Sequence, residues 1–253
     1  MKRKSGALSR DVLAAQVRAI VLATLILLPG TAAAHDLITA EYAEKYLAQA
    51  ARYTLSLKSS DLAPEKAESA YQLGRMLDEI REFLNRDISA HGSVQGLSSN
   101  RLVAELKTRG TPLAQDSKGR YLANLNYYQD VLKFSPHGAR EADALYKLIQ
   151  GYFYDSFEED PLKPKNQSWA QLEQQIALAE RLIGRFPQHA DMEEASFILL
   201  IYYVQAARFA PERSQAQVFA GKANTAIAAF ASRYPDSLRT AALPVMRAAL
   251  QMK

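Results

Sequence analysis

Four histidines, His35, His91, His137 and His189, are the residue type most able to move protons or bind metal in this chain, which has no cysteine. No H-E-x-x-H pair, no G-x-S-x-G elbow and no glycine-rich phosphate loop accompanies them. His137 and His189 stand beside Pro136 and Pro187 at matching helix entries, where an imidazole caps or fills a junction. A metal site needs ligands converging from several elements, so neither is read as a ligand. His35 would gain a free amine if the chain were cut after Ala34, the start of a copper chelate. Such chelates need a second histidine in reach, and the start of a helical chain frays. No cofactor and no metal is expected.

Paired carboxylates are the other route to catalysis. Glu158, Glu159 and Asp160 lie together, followed by Pro161, Lys163 and Lys165. A glycosidase pair needs one carboxyl held protonated by its surroundings, and nothing in this open, charged stretch does that. The expectation is a solvated loop. Because it interrupts a compact set of helices, Glu158 and Glu159 are candidates for a partner contact. The aromatics concentrate in Tyr127-Tyr128, Tyr146, Tyr152-Phe153-Tyr154, Phe157, Trp169 and Tyr202-Tyr203. Most have helical spacing and belong to packing. Those left on a concave face would line a peptide groove, with Asn124 and Asn126 available to main-chain groups. The candidate partner-binding residues are therefore Asn124, Tyr127, Tyr128, Tyr152, Glu158, Glu159 and Trp169.

The elements that would position these residues are helices throughout. Arg185–Ala210 organises the pattern: an arginine, an aromatic and Pro187 close one helix, Asp191 and Glu194 open the next, and Ala195–Val204 is apolar on every face. A helix with no polar side is buried by its neighbours, and ten residues are too few to cross a bilayer. The same entry recurs as Lys133-Phe134-Ser135-Pro136 and Arg233-Tyr234-Pro235, placing the prolines 51 and 48 residues apart. A cation suits the carbonyl end of a helix, proline blocks continuation, and acidic residues suit the next amide end.

Residues 37–58 and a second helix from Pro64 to about Asn85 read as a hairpin. Residues 86–98 and 111–119 read as loops around a short helix capped by Ser99 and ended by Gly110. Helices over 120–134, 139–155, 168–185 (opened by a Ser168–Gln171 capping box), 191–208, 212–233 and 237–251 follow. No strand-like alternation occurs. The organisation expected is a signal over 1–34, an N-terminal hairpin over 35–90, loops with a short helix over 91–119, and a helical repeat region over 120–253.

Of 253 residues, 48% are hydrophobic and 23% charged, enough for a sizeable core. The formal net charge is +4, but residues 1–34 hold five basic residues and one acidic, so the remainder is neutral. A nucleic-acid partner would leave a basic excess on the folded part. Residues 1–34 carry a basic start, an apolar run from Ala19 to Leu28, Pro29-Gly30 and Ala32-Ala33-Ala34. That is the pattern of a cleaved secretory signal, with periplasmic localisation expected first and secretion second.

The segments Arg185-Phe-Pro-Gln-His-Ala-Asp-Met-Glu-Glu-Ala and Arg233-Tyr-Pro-Asp-Ser-Leu-Arg-Thr-Ala-Ala resemble the helix junctions of bacterial periplasmic tetratricopeptide-repeat (TPR) envelope proteins. These include the TPR component of the outer-membrane assembly machine and the Tol–Pal cell-division coordinator. Pro64 with Leu73-Gly74 is similar to the spacing of a TPR first helix. The resemblance covers 120–253 well and 37–85 weakly, and the repeats are degenerate, near 50 residues rather than 34. It implies an all-α, TPR-like solenoid of stacked antiparallel hairpins that binds a protein or peptide partner in envelope assembly or maintenance, without catalysis. Binding of peptidoglycan or another glycan on exposed aromatics is the alternative, and a cell-wall hydrolase stands behind it.

Overall fold

The computed structural model describes residues 38–156, Leu162 and residues 167–251. The expected signal, His35, Glu158 and Glu159 lie outside the described residues. Within them the chain is all-α: α1 (Ala40–Ser59), α2 (Ala63–His91), α3 (Leu97–Thr108), α4 (Leu125–Phe134), α5 (Glu141–Ser156), α6 (Trp169–Arg185), α7 (Met192–Phe209), α8 (Arg213–Arg233), a 3-10 turn (Leu238–Ala242) and α9 (Leu243–Gln251). No helix among the described residues is long and apolar enough to cross a membrane.

Several ends follow local chemistry. Thr39 caps α1, its hydroxyl accepting from the Tyr42 amide at 3.2 Å. The capping box opening α6 is complete: Ser168 Oγ accepts from the Gln171 amide at 3.2 Å, and Gln171 Oε1 from the Ser168 amide at 2.8 Å. Three ends differ from the sequence reading. The second helix continues six residues past Asn85 to His91, where Gly92 at φ 77° caps it with its amide on the Ile88 carbonyl, and buried Asp87 in its last turns accepts the Gln95 amide from the following loop. Gly96, with φ 85°, precedes α3, while Ser99 is buried inside it. Helix α4 begins at Leu125, not Arg120. Residues 114–122 instead fold back on themselves, with Leu122 N–H on the Ala114 carbonyl and one antiparallel bridge between Gln115 and Tyr121. The Asn85 side chain holds that turn in place, donating to the Tyr121 carbonyl and accepting its amide, both at 2.8 Å.

Contacting residues of α1 and α2 run in opposite senses along the two helices. Tyr46 meets Glu79 and Ser56 meets Ser69 across α1 and α2. Asp78 meets Tyr128 across α2 and α4, while Tyr203 meets Glu180 across α6 and α7. The two contacts between α1 and α2 make that pair antiparallel.

The described residues divide into two compact units, an N-terminal one ending at Asp155 and a C-terminal one beginning at Ser156. Residues 91–119 thus lie inside the first unit, where α3 packs on α1 and Arg109 donates to the Leu47 carbonyl. The core of that unit is built on Leu47, Leu73, Leu77, Ile80, Leu84, Leu102 and Leu106. In the C-terminal unit α7 packs on α6, α8 and α9, and every residue from Phe197 to Ala207 is buried. That is the all-apolar helix expected at the centre.

The three proline junctions are copies of one another. The residue before each proline is pushed out of the helical region by the proline ring: Ser135 at φ −142° and ψ 71°, Phe186 at −129° and 55°, Tyr234 at −129° and 59°. Each still closes the helix behind it, onto Val131, Leu182 and Phe230 respectively. Two successive turns follow in each: Gly138 onto Ser135 and Glu141 onto Gly138; His189 onto Phe186 and Met192 onto His189; Ser237 onto Tyr234 and Thr240 onto Ser237. This register corrects one pairing. His189 matches Gly138, not His137. Its Nδ1 accepts the Asp191 amide at 3.2 Å, whereas the His137 side chain is 75% exposed.

An arginine four residues past the first and third junction prolines repeats as well. Arg140 grips Glu68 at 2.7 and 3.0 Å and lies 4.6 Å from the Tyr71 ring centre. Arg239 grips Glu193 at 2.9 Å, lies 3.5 Å from Glu194 and 5.9 Å from the Phe197 ring. Each ties a junction to the first turns of an earlier helix.

Candidate functional site

The residues singled out from sequence do not converge. Tyr128 is fully buried, packed on α2 at Gly74 and donating to Asp78 Oδ2 at 2.7 Å. It belongs to the core and cannot line an open groove. Tyr127 is half-buried against the core of the N-terminal unit. Asn124 precedes α4, also half-buried. Tyr152 accepts from Gln129 at 2.7 Å across α4 and α5. Trp169 sits in the other unit, edge-on to Phe219 at 5.7 Å.

The concave feature that does assemble is a groove of about 430 Å³ in the C-terminal unit. One wall is Ile183 of α6. The floor is Ser196, Leu199 and Tyr203 of α7. Helix α8 gives Thr225, Ala226, Ala229 and Phe230, and the junction gives Tyr234. The groove exists because α8 places alanines where a larger residue would fill the space. Its lining is predominantly apolar, the surface a protein uses to receive an apolar side chain or helix face.

Cations mark its two ends. At one, Lys222 Nζ reaches Glu180 Oε1 at 2.7 Å, and the same oxygen accepts the Tyr203 hydroxyl at 2.7 Å. Lys222 also lies 5.4 Å over the Tyr203 ring and 5.5 Å over Phe219. Burial alone would raise the Glu180 pKa, but the bonds from Lys222 and Tyr203 outweigh it and hold the carboxyl below its ordinary value. Glu180 is thereby a fixed anion, suited to orienting neighbours and not to giving up a proton. Burial, then the bond to Glu180, pushes the Tyr203 hydroxyl well above its usual range.

At the other end, Arg233 donates to the Pro187 carbonyl at 2.9 Å and lies 5.4 Å over the Tyr234 ring. No carboxylate among the described residues pairs with it. The Tyr234 hydroxyl is buried with no hydrogen-bond partner there. The aromatic rings continue inward, Tyr234 to Phe230 at 5.0 Å and Phe230 to Phe197 at 5.6 Å.

Sequence reasoning picked out Arg233-Tyr234 as a helix junction and Tyr203 as packing. It did not bring them together with Ala226 and Ala229. The available signal was the alanine-rich face of α8 beside an all-apolar α7. No protein-family model, no curated protein and no solved structure matches this chain.

Proposed function

We propose that this chain is a non-enzymatic, TPR-like adaptor whose C-terminal groove receives an apolar segment of a protein partner. The observation that carries the proposal is the open groove, lined by alanines of α8, with a cation at each end. The stacking of its helix hairpins as a solenoid is part of the same proposal. It is supported by the three matching proline junctions and by the Arg140–Glu68 and Arg239–Glu193 ties between successive repeats. Export and cleavage after Ala34 would place it in the periplasm, where a scaffold for envelope assembly or maintenance has protein partners to hold.

The test is recovery of partners from cross-linked envelopes, comparing the native chain with Ala229→Arg. Ala229 is exposed in the groove, so the variant fills the site without disturbing the core. A partner captured by the native chain and lost in the variant is the expected result. Capture that ignores Ala229→Arg removes the groove from the proposal. Sedimentation with cell-wall sacculi in place of protein capture transfers the function to glycan binding, and cleavage of the sacculi overturns the adaptor.

A further inference from the structure

The N-terminal unit holds a second concavity, unrelated to the groove above. It lies between α1 and α2, encloses about 160 Å³ and is mainly polar. At about 30 Å³ per water it has room for roughly five waters. That is the space of one six-membered ring with its substituents, too small for a helix face.

Its walls are periodic on both helices. From α1 come Tyr42, Tyr46, Gln49 and Tyr53, spaced three or four apart; from α2 come Arg75 and Glu79 over Met76. The Tyr42 ring is 55% exposed, and it stands 6.5 Å from the Tyr46 ring at 33°, a stepped aromatic wall. Tyr46 donates to Glu79 Oε1 at 2.9 Å across the helix pair, which fixes the floor.

Lys45, Gln49 and Arg75 have no hydrogen-bond or ion-pair partner among the described residues. Arg101, Arg140 and Arg109 of the same unit are engaged, with Glu44 at 2.9 Å, with Glu68 and with Glu105. Lys45 lies only near the Tyr42 ring, 5.9 Å from its centre. The lining itself thus carries two cations against one carboxylate, Glu79, already engaged by Tyr46, while Glu68 beyond it is gripped by Arg140 and acts on Arg75 only through its charge, so the concavity favours an anion. Its aromatic wall favours a flat C–H face, while Gln49 and Glu79 can meet hydroxyl groups.

We infer that the α1–α2 concavity binds one carboxylate-bearing sugar unit. Its ring rests against the exposed Tyr42, its carboxylate lies between Lys45 and Arg75, and its hydroxyls meet Gln49 and Glu79. A sugar ring supplies the C–H face, the hydroxyls and the size together. The guanidinium fork of Arg75 is the donor best matched to a carboxylate.

The experiment is an amide NMR titration of the purified chain with glucuronate, with glucose and acetate as probes of the ring alone and the charge alone. Glucuronate should bind with a millimolar Kd and shift the amides around Tyr42, Gln49 and Arg75. Glucose and acetate should each bind about tenfold more weakly. Arg75→Gln and Tyr42→Ala, both at exposed positions, should weaken glucuronate about tenfold and severalfold respectively, with the circular dichroism unchanged. Glucuronate shifts no larger than those of acetate would mean non-specific anion attraction and overturn the inference. So would shifts that persist in Arg75→Gln, or no shift between residues 42 and 79 at tens of millimolar.

Discussion

Asp155 closes the N-terminal unit with a carboxylate whose surroundings only partly favour its charge. Its Oδ2 accepts the Ala123 amide at 3.1 Å and its Oδ1 lies 3.9 Å from Arg81. The same arginine is 3.6 Å from Asp78, which accepts the Tyr128 hydroxyl. Burial pushes the Asp155 carboxyl up to about 6 from 3.8, and the charge of Asp78 adds to it; Ala123, Arg81 and Arg120 oppose. A raised acid pKa means the folded state prefers the protonated form. The stabilisation from that preference is fully present below about pH 4 and is lost as pH rises through about 6. At about 1.36 kcal/mol per unit this amounts to roughly 2–3 kcal/mol. Asp155→Asn removes the charge and keeps an oxygen for the Ala123 amide. Urea midpoints measured from pH 4 to 8 should therefore fall with pH more steeply in the native chain than in Asp155→Asn. Parallel profiles would mean that Asp155 titrates as it does in water.

Between elements, a close approach is made at Gly74, where α4 crosses α2. A methyl group there would lie 3.0 Å from Tyr128 Cζ and 3.1 Å from Cε1, and Tyr128 cannot retreat because its hydroxyl is tied to Asp78 in the core. Gly74→Ala gains about 1 kcal/mol of helix propensity but overpacks a fixed ring, at a cost of about 1–3 kcal/mol. A net loss of about 1 kcal/mol in urea unfolding is expected; a stabilised variant would show that the ring moves freely. Elements were largely legible where local chemistry decides them. The Ser168 box, the all-apolar α7 and the proline junctions all follow from neighbouring residues. The start of α4 did not follow, because a partner distant along the chain sets it: Asn85 holds a turn 36 residues away.

For the molecule as a whole, the division into two units has a measurable consequence. Trp169 is the only tryptophan and belongs to the C-terminal unit, while Leu77 is fully buried in the core of the N-terminal one. Leu77→Ala should cost its unit about 2–5 kcal/mol and lower part of the far-ultraviolet unfolding transition. The Trp169 fluorescence midpoint should stay in place. A common shift of both signals would mean that the units unfold as one.

Helical class, the buried central helix and the recurrent junctions were readable from residue order alone. Each depends on periodicity or on groups within a turn of one another, and a linear sequence displays such distances directly. The candidate groove was not readable in the same way. Lys222, Arg233 and Ile183 are ordinary surface and packing residues until α6 and α8 lie across α7 and bring them together. Tyr128, chosen as a binding residue for its type, was removed to the core by the one helix with a glycine where its ring must pass. Which side chains face a concavity depends on the packing of helices far apart in sequence. Residue type and spacing do not encode that, so tertiary structure decided it.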